Sequence, residues 1–206
     1  MTAETVVYDW NDDRIITSAT EWRRTAKKPL LLTFDDGPSS QLIKMLDILK
    51  KHETKAIFFW QTRLIYERRP WARVLEDGHM IGAHSIHHPD LSRLSYSLQE
   101  KEIIGSVRKI ESITGHRVSF FRPPFGSYND DTLHILSKHK LKPLLWNVAG
   151  LDWEWKHEPQ RIVTNVMEHV KEGSILLLHE LIQTTAVLDK LITQLKKEGY
   201  EFILPE

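Results

Sequence analysis

The sequence predicts an α/β fold, an incomplete or irregular (β/α) barrel of about seven parallel strands, with a doubly wound open sheet as the second choice. Three observations predict it. Short apolar runs alternate with helical patterns from Pro29 onward, the order expected of parallel strands joined by crossover helices. Seven such strand candidates are too many for the smallest open sheets and close to a closed barrel. The unusual polar residues all follow the carboxyl ends of those candidates, where folds of this class carry their sites.

Taken in order, residues 1 to 28 are weakly patterned and are expected to wrap the domain edge, leaving 29 to 206 as the domain proper. Pro29 to Phe34 reads as a buried strand. Gln41 to Lys51 places Leu42, Met45, Leu46 and Leu49 at helical spacing. Lys55 to Phe59 is a strand, Arg63 to Asp77 a helix, and His79 to Ala83 a short strand. Tyr96 to Thr114 is a long amphipathic helix stopped by Gly115. Val118 to Arg122 is a strand, Asp130 to His139 a helix, Leu141 to Val148 a strand and Pro159 to Lys171 a helix. Ser174 to Leu178, Thr185 to Lys197 and Tyr200 to Leu204 complete the chain as strand, helix and strand.

Bulk properties narrow the function classes. A chain of 206 residues suits one domain with one core. Lys plus Arg and Asp plus Glu are both 28, so the net charge is zero and no nucleic-acid partner is expected. The lack of cysteine excludes disulfides, zinc–thiolate sites and thiol nucleophiles. No apolar run approaches the roughly 20 residues of a membrane span. Met1 to Asp13 carries acids early and lacks an apolar core, so no signal peptide is expected. The chain reads as cytoplasmic as it stands, and as secreted or cell-wall associated if a leader or anchor has been trimmed away. Nothing in the sequence calls for an obligate protein partner.

Five polar groups share the predicted rim: Asp35-Asp36-Gly37-Pro38, His84 with His88, Arg122-Pro123-Pro124-Phe125-Gly126, Asp152-Trp153, and His179. His84 and His88, four apart, would project to one side of a helical turn and could reach one ion. A local polar loop is the blander reading of that pair. Asp36 on the same rim tips the balance to metal, because two histidines and a carboxylate with open positions is a common hydrolytic zinc set. His87, next to His88, should point elsewhere. Asp-Asp-Gly-Pro is also a good turn sequence. Two adjacent carboxylates behind an apolar strand must nonetheless be hydrated, paired or bound to a cation. One can ligate an ion while the other accepts a proton. Arg122, reached through Phe120-Phe121, should have a carboxylate partner, in a site or in a plain salt bridge. Asp152 and His179 are a candidate acid and orienter, though a lone histidine at a strand end is more often a satisfied core residue. Trp153 and Trp155 are candidate floors for a sugar, with packing the commoner fate of tryptophan. Trp153 and Pro124 are kept as possible substrate contacts.

In the same order, Thr33-Phe34-Asp35-Asp36-Gly37-Pro38, His84-Ser85-Ile86-His87-His88-Pro89, Arg122-Pro123-Pro124-Phe125, Asp152-Trp153 and Leu176-Leu177-Leu178-His179 resemble the motifs of the polysaccharide deacetylases, carbohydrate esterase family four. The resemblance runs from about Pro29 to the C-terminus. It implies a distorted (β/α) barrel with about seven parallel strands. It also implies one divalent metal ion, zinc first, held by Asp36, His84 and His88. Asp35 would then be the general base, held by Arg122, and His179 the general acid, oriented by Asp152. The backbone N–H of Phe125 would help hold the oxyanion. The implied reaction is removal of acetyl groups from an N-acetylated amino-sugar polymer or oligomer, of chitooligosaccharide or peptidoglycan type. Three alternatives remain in view: a cytosolic small-molecule deacetylase or amidase, an O-acetyl-xylan esterase, and a non-catalytic sugar-binding barrel. Two departures from the pattern stand out. Ala149 occupies a position where the family usually has an acid, and Trp60-Gln61 replace a small residue and glycine. The bulk of Trp60 is expected to narrow the site or redirect the substrate.

Overall fold

The computed structural model describes residues 6–22, 25–67 and 70–205. Its parallel strands are β1 (Pro29–Gly37), β2 (Ile57–Trp60), β3 (Met80–Ala83), β4 (Phe120–Phe121), β5 (Lys142–Pro143), β6 (Val148–Ala149), β7 (Ile175–His179) and β8 (Glu201–Phe202). The strand order is β5-β4-β3-β2-β1-β7-β6, with β8 added beside the start of β1. β1 lies at the centre, flanked by β2 and β7, and is buried along nearly its whole length. A strand covered on both faces has no polar side to alternate with, which is why Pro29 to Phe34 reads as a continuous apolar run.

The single strand predicted over Leu141 to Val148 is two strands, β5 and β6; the curled sheet path has the expected seven parallel strands, and β8 stands off it beside β1. β5 pairs with β4, and β6 pairs with β7. Pro143 sits inside the β4 pairing, where Lys142 and Leu144 on either side of it donate to Ser119 O and Phe121 O, and the chain passes from β4 to β7 beyond Leu144. β5 and β6 are the two ends of the sheet path, and only residues 144–147 separate them along the chain. The sheet therefore curls into a barrel whose last gap is spanned by covalent chain rather than by a ladder. The N-terminal segment covers that gap. Ile16 bridges Leu144, Val7 bridges Val148, and the Tyr8 N–H donates to Asn147 O at 3.0 Å.

The helices are α1 (Leu42–Lys51), α2 (Ala72–Glu76), α3 (Tyr96–Thr114), α4 (Asp130–Lys138), α5 (Gln160–His169) and α6 (Ile182–Lys197). α1 buries Leu42, Met45, Leu46 and Leu49, the four positions picked out by spacing. α3 has the predicted bounds and ends at Gly115 in the left-handed conformation, φ 69°. A capping box between Asn129 and Thr132 starts α4. The helix predicted over Arg63 to Asp77 is corrected to a 3₁₀ turn at Thr62–Leu64 and the five-residue α2. Pro70 lies between them, lacks the N–H that a helix needs, and disfavours helical geometry in the residue before it. Residues 68 and 69 of that prediction lie outside the described residues. The last strand is only Glu201–Phe202, and α6 begins three positions before the predicted Thr185.

Candidate active site

The end of β1 carries the acid pair. Asp35 is opposite Phe59 and Gly37 is opposite Trp60, so Asp36 is the extra residue of a β-bulge, in the left-handed conformation at φ 66°. Consecutive strand residues ordinarily face opposite sides. The bulge re-aims one side chain, and both carboxylates line the same cavity. Gly37 is required here, since a Cβ at that position would lie 1.7 Å from Glu180 Oε1.

The histidine pair sits on an irregular loop, which corrects the helical turn assumed from the spacing. Ser85 and His88 both have positive φ, 64° and 65°. Two interactions hold this strained loop. The His88 N–H donates to Ser85 Oγ at 2.9 Å, and Glu102 from α3 accepts the Ile86 and His87 N–H groups at 2.9 and 3.0 Å. Glu102 also accepts from His87 Nδ1, which turns that ring away from the site. Strained backbone of this kind persists where the surroundings over-determine it, commonly at functional sites.

The loop brings the pair onto Asp36. His84 Nε2 is 3.7 Å and His88 Nε2 3.5 Å from Asp36 Oδ1, and the three ligand atoms lie within 4.8 Å of one another. The group fits a divalent cation. His84 Nδ1–H donates to Arg122 O at 2.7 Å, which leaves the Nε2 lone pair facing the cluster. Burial and the neighbouring His84 hold His88 below its ordinary pKa, favouring the neutral imidazole that ligation needs. For Asp36, burial acts upward but is outweighed by His84, His179 and His88, so its pKa lies below the usual carboxylate value.

Arg122, at the exit of β4, is fully buried. Its Nη1 donates to Asp35 Oδ1 at 2.8 Å and to Thr33 Oγ1 at 2.7 Å. Its Nε and Nη2 donate to the carbonyls of Leu144 and Leu145 at 3.0 and 3.3 Å, and the guanidinium lies over the Phe59 ring at 4.2 Å. Asp35 Oδ2 faces the cluster, 3.7 Å from His84 Nε2. On the opposite side, His179 ends β7. Its Nδ1–H donates to Asp152 Oδ1 at 2.7 Å, and its Nε2 is 4.0 Å from Asp36 Oδ2. Asp152 is fully buried and also accepts from the His179 backbone N–H and from Thr184 Oγ1. Burial pulls the His179 pKa down, but Asp152, Asp35 and Asp36 together raise it to about 9.

These groups surround one cavity of about 530 Å³. Trp153 and Phe125 line it; Phe125 is 67% exposed and its ring packs edge-on against His88, and Trp153 meets His179 in the same way. Pro124 does not reach the cavity, because it is buried in the turn below Phe125. Trp155 also lies off the wall, with its ring beneath the Arg161 guanidinium. The expectation that Trp60 narrows the site is corrected. Trp60 is fully buried and absent from the cavity lining, and its Nε1–H donates to Glu180. Ala149 is fully buried, and its carbonyl accepts from Asn165 Nδ2. Sequence reasoning missed Tyr8, which joins the cavity wall and stacks on Trp10. No periodicity or motif marks it, since a long-range bridge places it there.

A profile of the polysaccharide deacetylases matches residues 23–144, more than half of the chain. The chain belongs to the polysaccharide deacetylase family. It is 36% identical over 180 residues to the peptidoglycan-N-acetylmuramic acid deacetylase PdaC of Bacillus subtilis, covering 86% of this chain and 38% of PdaC, so it spans well under half of that relative. Among solved structures, a family 4 carbohydrate esterase from Streptomyces lividans in complex with acetate superposes with a TM-score of 0.81 at 25% identity, covering 88% of this chain and 95% of that one. A pseudoenzyme of carbohydrate esterase family 4 from Bacillus anthracis superposes with a TM-score of 0.80 at 33% identity, covering 85% of this chain and 63% of that one. The distorted (β/α) barrel is the fold shared with both.

Proposed function

We propose that residues 29–206 form a metal-dependent catalytic domain that removes acetyl groups from N-acetylated amino sugars of chitooligosaccharide or peptidoglycan type. One observation carries this reading. A two-histidine, one-carboxylate cluster stands between a second carboxylate tied to a buried arginine and an imidazole tied to a buried aspartate. A divalent cation held by Asp36, His84 and His88, zinc first, would supply Lewis acidity, making a water nucleophilic near neutral pH and polarising the acetyl carbonyl. Asp35 takes the proton from the attacking water, its Oδ1 fixed by Arg122 and its Oδ2 turned to the cluster. The Phe125 N–H helps hold the oxyanion of the tetrahedral intermediate. His179, kept protonated by Asp152, gives its Nε2 proton to the departing amine, which is too basic to leave unprotonated. Trp153, beside His179 on the cavity wall, offers an aromatic face to the sugar.

The test combines metal binding with acetate release. Purified protein should take up about one equivalent of zinc, as a mononuclear catalytic site requires. It should then release acetate from chitooligosaccharides or peptidoglycan, and more slowly from a monomeric sugar. Undiminished metal uptake in a His84→Ala, His88→Ala double variant would exclude these ligands. A second reading, a sugar-binding barrel without activity, is favoured by the likeness to the Bacillus anthracis pseudoenzyme. Metal uptake and sugar binding without acetate release would establish it.

A further inference from the structure

The residues after β2 do more than continue the chain. Three successive N–H groups tie this segment to both loops of the cluster. Gln61 N–H donates to Gly37 O at 3.0 Å, Thr62 N–H to Ser85 O at 3.1 Å, and Arg63 N–H to Ile86 O at 3.2 Å. The segment is thus a splint between the turn that carries Asp36 and the loop that carries His84 and His88. Its first side chain enters the cluster directly. Gln61 is 4% exposed, and its Nε2 donates to Asp36 Oδ1 at 2.6 Å. That oxygen is the one facing both histidines. The orientation of the amide is fixed from behind, because Arg63 Nε, which can only donate, bonds Gln61 Oε1 at 2.9 Å. The NH₂ group must therefore face the carboxylate.

We propose that Gln61 is a positioning residue for Asp36, holding the carboxylate in the rotamer that converges with His84 and His88 on a cation, with Arg63 locking the Gln61 amide in turn. This rests on the metal reading of the site. The physical argument is one of pre-organisation. Asp36 lies on a bulge with its carboxylate partly exposed at the cavity wall, and among the described residues the hydrogen-bond donor to it is Gln61 Nε2. An N–H donor on one lone pair of Oδ1 fixes the group and leaves its remaining lone pairs for a ligand. Partners that orient a metal ligand in this way are typically worth about 10–100-fold in metal affinity.

The experiment is a zinc titration against a competing chromophoric chelator on metal-free wild-type protein, Gln61→Leu and Arg63→Ala, with the thermal unfolding of each metal-free protein measured in parallel. Gln61→Leu keeps a similar volume and all three backbone bonds but removes the donor. It should weaken zinc binding about 10–100-fold, while the metal-free unfolding midpoint moves by less than about 3 °C. Arg63→Ala should weaken binding in the same direction and by less. Zinc binding by Gln61→Leu within about twofold of wild type, against the expected loss, overturns the inference. Should Gln61→Leu fail to fold, Arg63→Ala decides, since Arg63 is exposed and unchanged affinity there breaks the proposed chain of support. If wild-type protein binds no divalent metal, the reading of the whole site fails. If wild type binds and Gln61→Leu binds equally well, only the role of Gln61 fails.

Discussion

Replacing Asp152 by asparagine tests the general-acid assignment most directly, because the structure gives the substitution a definite electrostatic consequence. The Asp152 carboxylate accepts from His179 Nδ1–H, from the His179 backbone N–H and from Thr184 Oγ1. Asparagine keeps the shape but offers one acceptor oxygen in place of two. If that oxygen faces Nδ1, the new NH₂ group confronts the backbone N–H of His179; if it faces the backbone, the NH₂ group confronts Nδ1. Either way the imidazolium loses its counter-charge. Burial alone lowers the His179 pKa, and Asp152 is the largest of the influences that raise it to about 9. Without Asp152 the pKa falls from that value, because burial is then opposed by Asp35 and Asp36 alone, and each pH unit of the fall is worth ~1.4 kcal/mol. The sign follows from the raised pKa: protonated His179 is present below that pKa and is lost as pH rises through it. A cation held by Asp36 acts against protonation, so about 9 is the upper limit for the alkaline limb of activity in the metal-loaded protein. Acetate release from an N-acetylated oligomer, followed from pH 6 to 10, should show the alkaline limb of Asp152→Asn displaced to lower pH by roughly two pH units. Amide turnover at pH 8 should fall by about 10²–10⁴, the range of general acid–base catalysis. Hydrolysis of an activated aryl acetate, whose leaving group needs no proton, should fall much less. An unmoved alkaline limb, or equal losses on amide and ester, would refute the reasoning.

Three further expectations follow from the same geometry. Asp35→Asn should leave zinc affinity nearly intact and cut turnover by roughly 10²–10⁴, whereas Asp36→Asn should weaken zinc binding, with excess metal partly restoring activity; the opposite pattern in titrations and turnover would reverse the two roles. Arg122→Met removes the partner of a buried Asp35 and should destabilise the protein by about 3–5 kcal/mol in urea unfolding, with an effect under about 1 kcal/mol showing that the pair is not held as described. Tyr8→Ala should raise KM for an oligomeric substrate more than for an activated acetate ester, and equal changes in the two would remove Tyr8 from the substrate wall.

Much of this architecture was legible from residue order. The buried run of β1, the spacing of α1, the glycine stop of α3 and the placement of polar groups after strand ends all follow from local rules that the structure keeps. The polar rim converges because parallel strands put their carboxyl ends on one side. What was not legible depends on backbone geometry that no periodicity encodes. The spacing of His84 and His88 suggested a helical turn, but two left-handed residues and the Glu102 carboxylate make the approach instead. Trp60 looked like an intrusion on the substrate, yet β2 directs it inward onto Glu180, through the space that Gly37 leaves open. Tyr8 and Gln61 reach the site through pairing partners remote in sequence, Asn147 and Gly37 respectively, and neither pairing has a sequence signature.

The fault in the barrel and the burial of Arg122 are one feature. A guanidinium carries five N–H groups in a rigid plane, and burying it is tolerable only where acceptors meet that plane. In an unbroken strand the carbonyls of Leu144 and Leu145 would belong to the ladder between sheet neighbours. Because the chain leaves the sheet between β5 and β6, both carbonyls turn inward and accept from Arg122. Those two bonds, with Thr33 on the far side, fix the guanidinium so that its Nη1 meets Asp35. Lysine has the charge but not the fork, and its three donors on one nitrogen could not serve acceptors spread along β1 and the link between β5 and β6. The same break leaves an edge that the N-terminal segment pairs with, and that pairing sets Tyr8 on the cavity wall. An irregularity that costs a stretch of hydrogen-bonded ladder thus supplies the orientation of the proposed base on one side and a wall of the cavity on the other. A barrel with a continuous strand from Leu141 to Val148 would have neither.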